Sequence, residues 1–237
     1  MSKHKDFILT PIAVILNEVV SANVGIGDGI ETYPLIEYIM QSLFLKMTVF
    51  QEQKMKCICW ELATEDYEYR YDRYTKKTLG ECSSYEEKKN IYKDIIGIIK
   101  KLDPSFNVSN VLDRQAILIG TKTDMGGLFL NSNLYTWVER EFMEFQIISS
   151  ATNSNHFATD LNLFENVLQD QYKLLYKHRN RCAHNTLSYQ ENLPTLTDLF
   201  REDHKYDNYL VRFFLLILID KIFIELYKIY LNALEEK

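Results

Sequence analysis

The stretch LVRFFLLILI, residues 210–219, holds one charge, Arg212, among nine apolar side chains. Neither Gly nor Pro interrupts the chain from there to residue 235. Unbroken length of this kind points to a helix, predicted over residues 206–235. A helix that is apolar on nearly every side must be covered on nearly every side. It is therefore either the central helix of a bundle or part of a subunit interface. A membrane span is the other setting for such a run, but Arg212, Asp220, Lys221, Glu225 and Lys228 argue against it.

Composition carries the same message outward. The chain has 237 residues, of which 46% are hydrophobic and 13% aromatic, enough for a real core. Only 8 Gly and 4 Pro punctuate it, so long helices are expected throughout. The fold class that follows is all-α, a helical bundle in one domain over residues 1–237. A net charge of −6 argues against a protein that coats a nucleic-acid duplex. A small local basic site remains compatible, because a cleft focuses its own field. The cysteines are Cys57, Cys59, Cys82 and Cys182. No second pair at zinc spacing accompanies Cys57 and Cys59, so buried free thiols in a reducing cytoplasm are expected rather than a metal site.

Reading forward from the N-terminus, Lys3, His4 and Lys5 precede the apolar run FILTPIAVIL (residues 7–16). Pro11 and the Asn17-Glu18 pair make this an ordinary first helix over about residues 10–22 rather than a signal peptide. The loop NVGIGDGIE (residues 23–31) lacks the strand, the G-x-G-x-x-G and the G-K-[ST] that a phosphate loop needs. A long helix follows, with Thr32 as its cap and Pro34 in its first turn. Its apolar stripe runs through Leu35, Ile39, Leu43, Met47 and Phe50, and continues through Trp60, Ala63, Tyr67, Tyr71 and Tyr74. EDYEYRYDRY (residues 65–74) also alternates with period two, so a strand from Tyr67 is the competing assignment.

Gly80 ends this unit. Ser84 and Glu87 form a capping box for a helix carrying Ile91, Ile95, Ile98 and Ile99, which closes at Lys100-Lys101 before Asp103-Pro104. Residues 103–132, with Gly120, Gly126 and Gly127, are expected to be an irregular insert with one short element near 112–119. Another helix is predicted over 134–149, then a polar connector, SSATNSNHFATD (residues 149–160). The next helix is predicted over 159–184, with Leu163, Val167, Tyr172, Leu175 and Tyr176 facing the core. A helical turn from Pro194 to about Phe200 precedes the last helix.

The helix predicted over 159–184 ends in KHRNRCAHN (residues 177–185). In an acidic chain with five histidines, this stretch collects Lys177, His178, Arg179, Arg181 and His184. On a helix, Asn180 and His184 are four residues apart and share a face, with Arg179 about 100° round from Asn180. Asn185 suits a left-handed C-terminal cap. The helix dipole would favour the imidazolium form of His184, and the flanking arginines would oppose it. A group working near neutral pH and a fixed cation are what RNA cleavage by its own 2′-hydroxyl needs. No activated water or metal is required, and RNA rather than DNA is the substrate. A Cys182–His184 nucleophilic pair is disfavoured, because residues two apart on a helix do not face each other. The bland assignment is a solvated basic helix end.

Arg179, Asn180 and His184 stand as R-N-x-x-x-H, which resembles the R-x4-6-H motif of the HEPN superfamily. The resemblance covers about residues 159–235, including a further helix after the motif. It implies an α-helical bundle and a metal-independent endoribonuclease that acts as a homodimer, both motifs meeting at one cleft. Such proteins recur in toxin–antitoxin and antiviral-defence systems, and their cleavage leaves a 2′,3′-cyclic phosphate. The resemblance implies that His184 is the general acid/base, that Arg179 stabilises the pentacovalent phosphate, and that Asn180 orients one or the other. Lys177, His178 and Arg181 are further candidates for phosphate contact. RNA is the implied partner, with an antitoxin or nucleotidyltransferase-like protein beside it, and no cofactor or membrane is called for. The other expectation is a HEPN-like module that binds a nucleotide or protein without catalysis.

Overall fold

The structure is a computed structural model that describes residues 3–23, 25–27, 29–76, 82–130, 134–160, 162–184 and 208–236. Among the described residues the regular elements are helical. They are α1 (Lys3–Leu9), α2 (Ala13–Ala22), α3 (Tyr33–Glu65), α4 (Tyr67–Tyr71), α5 (Tyr85–Leu102), α6 (Val108–Val111), α7 (Arg114–Leu130), α8 (Leu134–Ala151), α9 (Asn166–His184) and α10 (Tyr209–Glu235). Short 3-10 turns lie at Ile30–Thr32 and Ser154–His156. The all-α fold class is as composition implied. The turn predicted near Pro194 and the cap at Asn185 lie outside the described residues.

α10 is the axis of the molecule. Every residue from 209 to 220 is buried, Arg212 and Asp220 included. α7, α5, α3, α8, α9 and α1 all pack against it. Of the two settings its sequence allowed, this is the central helix of a bundle. Each fully buried Leu, Ile or Phe on it contributes about 1.5–3 kcal/mol relative to exposure. Asn208 caps it: Oδ1 accepts from the Leu210 and Val211 amides at 3.0 and 3.1 Å. The two buried charges sit in different surroundings. The Arg212 guanidinium lies 5.2 and 5.7 Å from the ring centroids of Tyr209 and Phe44. Asp220 accepts from Lys54 Nζ on α3 and, at 2.8 Å, from the Ile12 amide.

Several predicted elements differ in detail, each for a local reason. The first helix does not run from residue 10 to 22. It breaks into α1 and α2 at residues 10–12, because Pro11 lacks an amide and disfavours helical geometry at Thr10. Lys54 Nζ holds that corner by donating to the Thr10 carbonyl at 2.6 Å. The Thr32 hydroxyl donates to the Gly29 carbonyl at 2.6 Å instead of capping α3. The buried stripe of α3 is Ile36, Met40, Leu43, Phe44, Met47, Met55, Ile58 and Leu62. Leu35 and Trp60, expected inside, are exposed. Residues 67–76 form α4 and a π-helical turn rather than a strand, with Tyr67, Tyr71 and Tyr74 exposed. Ser84 caps α5 as expected, accepting from the Glu87 amide, while the Glu87 carboxylate pairs with Arg73 at 2.9 Å.

The largest correction concerns residues 103–132. They are not an irregular insert: α6 and α7 fill most of the span. The glycines that suggested a loop sit inside α7. Gly120 has a packing reason, since a Cβ there would meet Lys221 Nζ at 3.2 Å, and that amine pairs with Asp124 at 3.0 Å. α9 also starts later than expected, at Asn166. Ala158 takes a left-handed φ of 48°, Phe157 and Phe164 form an isolated antiparallel bridge, and the segment between them folds back on itself. Tyr85 ties that bridge to α5, its hydroxyl donating to the Phe164 carbonyl at 2.9 Å. Val167, expected in the core, is exposed.

Candidate functional site

α9 carries the basic stretch because its earlier turns are anchored. Leu168, Tyr172 and Leu175 are buried against the bundle, and the helix packs on α3, α5 and α10. The Tyr172 hydroxyl donates to the Ser83 carbonyl at 2.7 Å. With that face inward, the helical period decides where the last two turns point. Lys177 is exposed, His178 and Cys182 are buried, and Arg179, Asn180 and Arg181 are half-buried. His184 is the last residue of α9, one turn beyond Asn180.

Arg179 is mostly covered. Its Nη1 donates to Asn180 Oδ1 at 3.0 Å, and its Nη2 lies 3.5 Å from Glu52 Oε2 on α3. The other oxygen of Glu52 pairs with Lys56 Nζ at 2.7 Å. Glu52 is therefore a site residue that sequence reasoning missed. Its sequence signal was only a Glu-Lys pair four residues apart, which is ordinary on a helix surface. The side chains of Arg179 and Glu52 are 16% and 12% exposed, so the pair is screened less than a surface one. Lys88, on α5, is a second missed residue nearby. It is buried, donates to the Cys82 carbonyl at 3.0 Å and sits 5.9 Å from the centre of the Tyr172 ring. Burial brings its pKa down to about 8, and the Arg179 charge acts in the same direction. Thr48, Gln51, Lys88, Tyr172, Tyr176 and Arg179 line one small cavity between α3, α5 and α9.

His178 is the sequence candidate that the structure moves. Expected at a phosphate, it is buried, with its ring 5.4 Å from both the Phe44 and Tyr209 rings. The reason is helical phase: four residues before Cys182 and three after Leu175, it falls on the inward face of α9. Its Nε2 lies 3.3 Å from the Tyr209 hydroxyl and 3.2 Å from Cys182 Sγ, and its Nδ1 lies 3.3 Å from Arg181 Nη2. Tyr209 donates onward to Glu37 Oε1 at 3.2 Å. The thiol that a Cys182–His184 pairing would have used thus contacts His178. Close by, Glu141 accepts from the Tyr209 amide at 3.0 Å. Burial pushes its pKa up to about 7, Glu37 adds to the rise, and the amide and Arg212 oppose it.

The structure thus brings together Arg179 and Asn180 through a hydrogen bond, places His184 on the same helix, and separates His178 from them. Among the described residues no group of three or more His, Cys, Asp or Glu could hold a metal ion. Nor is any described helix long and apolar enough to cross a membrane. No protein-family model matches the chain, and neither a curated protein nor a solved structure does.

Proposed function

We propose that this protein is a metal-independent endoribonuclease of the HEPN type, acting as a homodimer. The observation that carries the proposal is the R-N-x-x-x-H sequence on α9, with Arg179 and Asn180 hydrogen-bonded at 3.0 Å and His184 one turn on. The 2′-hydroxyl attacks the adjacent phosphorus. The new P–O bond closes a cyclic phosphate, and the bond to the 5′-oxygen breaks. His184 takes the hydroxyl proton or supplies one to the leaving oxygen. The Arg179 fork neutralises charge on the equatorial oxygens, held in place by Asn180 and Glu52. Lys177 and Arg181 add positive charge along the RNA, while His178 supports the helix from inside. The resemblance to toxin and defence ribonucleases extends the proposal to that role, with an antitoxin or nucleotidyltransferase-like protein as the partner.

The test uses wild type and His184→Ala with total RNA and a labelled oligoribonucleotide, in excess EDTA. Cleavage by wild type alone, leaving cyclic-phosphate ends, is the expected result. Equal cleavage by both proteins would falsify the assignment of His184. Arg179→Lys should lose about 100-fold or more in rate, because an ammonium cannot reproduce the planar fork.

A second reading is a binding module with the same architecture and no catalysis. It draws on the ion pair at Arg179, which already commits part of the fork to Glu52. RNA binding by gel shift without cleavage by either protein would select it.

A further inference from the structure

A cavity of about 280 Å³ lies between α4, the π-helical turn Asp72–Lys76 and α5, and shares no residue with the site on α9. Arg73 and Ile98 are buried in its wall. The π-helical turn carries Arg73 inward while Asp72 and Tyr74 on either side stay exposed, and turns of this kind often mark functional positions. The Arg73 side chain is 4% exposed, and its Nη2 donates to Glu87 at 2.9 Å. Its Nε is also buried and has no hydrogen-bond partner among the described residues. A buried donor without an acceptor is costly, so the cavity calls for an acceptor. Lys93, exposed at the rim, adds a second cationic donor.

The same wall disfavours a plain anion. Glu68, Asp72 and Asp94 also line it, and Lys101 already pairs with Glu68 at 3.3 Å and with Asp66 at 2.9 Å. A ligand with only negative charge would face these carboxylates. A ligand with only positive charge would leave Arg73 Nε unanswered. The two requirements meet in a molecule that carries both poles. Drug-sized ligands take pockets of roughly 300–1,000 Å³, so this cavity suits one small molecule rather than a chain. A Cβ at Gly97 would meet nothing within 4 Å, so this glycine leaves the space beside Ile98 open.

We propose that this cavity is a binding site for a free amino acid with an apolar side chain. Arg73 Nε and the Lys93 amine donate to its carboxylate. Its ammonium lies toward Asp72 and Asp94, and its side chain rests on Ile98 in the space that Gly97 leaves.

The experiment is isothermal titration calorimetry on the full chain, with L-leucine, L-methionine and L-phenylalanine as probes. At least one should bind saturably. For L-leucine, isocaproate lacks the amine and isopentylamine lacks the carboxylate. Each should bind at least about ten-fold more weakly, because each leaves one pole of the wall unanswered. Gly97→Leu should abolish binding by filling the space. Its thermal midpoint should stay at or above that of wild type, because leucine favours a helix more than glycine does. Arg73→Lys keeps a charge for Glu87 but has no Nε, and should weaken binding about ten-fold. Lys93→Ala, at an exposed position, should weaken it several-fold. Absence of binding by all three probes, equal binding of isocaproate and L-leucine, or unchanged binding in Gly97→Leu overturns the proposal. Neither the site nor the readout involves RNA, so failure here is distinct from failure of the ribonuclease reading.

Discussion

A single side chain of α8, set against the N-terminus of α10, links stability to pH. The Glu141 pKa lies near 7 in the fold against an ordinary 4.5, chiefly because burial penalises the carboxylate. A folded state that binds the proton more tightly is stabilised by it. That stability is fully present below about pH 4.5 and is lost as pH rises through about 7. Glu141→Gln keeps the acceptor for the Tyr209 amide and removes the charge. The variant should gain about 1–3 kcal/mol over wild type above neutrality and nothing in mild acid. Urea titrations at both pH values decide it, and an equal effect at the two would exclude burial of this charge as the cause. The neighbouring histidine teaches a related lesson. From sequence, His184 was the expected acid/base and His178 a further phosphate contact. Helical phase moves His178, which falls on the face that Leu175 and Cys182 turn inward.

Helices were the most legible elements, and glycines the least. The start of α5 could be read from Ser84 and its end from Asp103-Pro104, since caps and proline act through adjacent backbone groups. The glycines of α7 misled because their local cost in a helix is small beside burial of Ile117, Leu118 and Met125. Gly97, in the middle of α5, has no such packing reason. A Cβ there would meet nothing within 4 Å. Gly97→Ala should therefore stabilise the protein by about 0.5–1 kcal/mol, through the unfolded chain and helix propensity. A lower urea midpoint for the variant would mean that something fills the space beside α5 in solution.

At the scale of the whole molecule, one buried ion pair joins distant parts of the chain. Lys54 on α3 and Asp220 on α10 meet where residues 10–12 turn the corner, and both also bind that corner's backbone. Burial moves each toward its neutral form, and each opposes the shift in the other. Removing one partner strands the other in the core. Asp220→Ala should cost about 3–5 kcal/mol and lower the thermal midpoint sharply. A cost near that of a surface pair would show that water reaches the corner.

The sequence by itself determined the helical class, the burial of α10 and the placing of R-N-x-x-x-H on a helix. Those features follow from periodicity, breaker content and spacing, which act over a few residues. Only the tertiary structure decided that Glu52 faces Arg179, that Lys88 lies beside it, and that Cys182 contacts His178 rather than His184. Periodicity says which face of a helix turns inward, but not which residue of another helix meets it. That choice is made when α3, α5 and α9 close around α10, and it depends on packing between residues far apart in the chain.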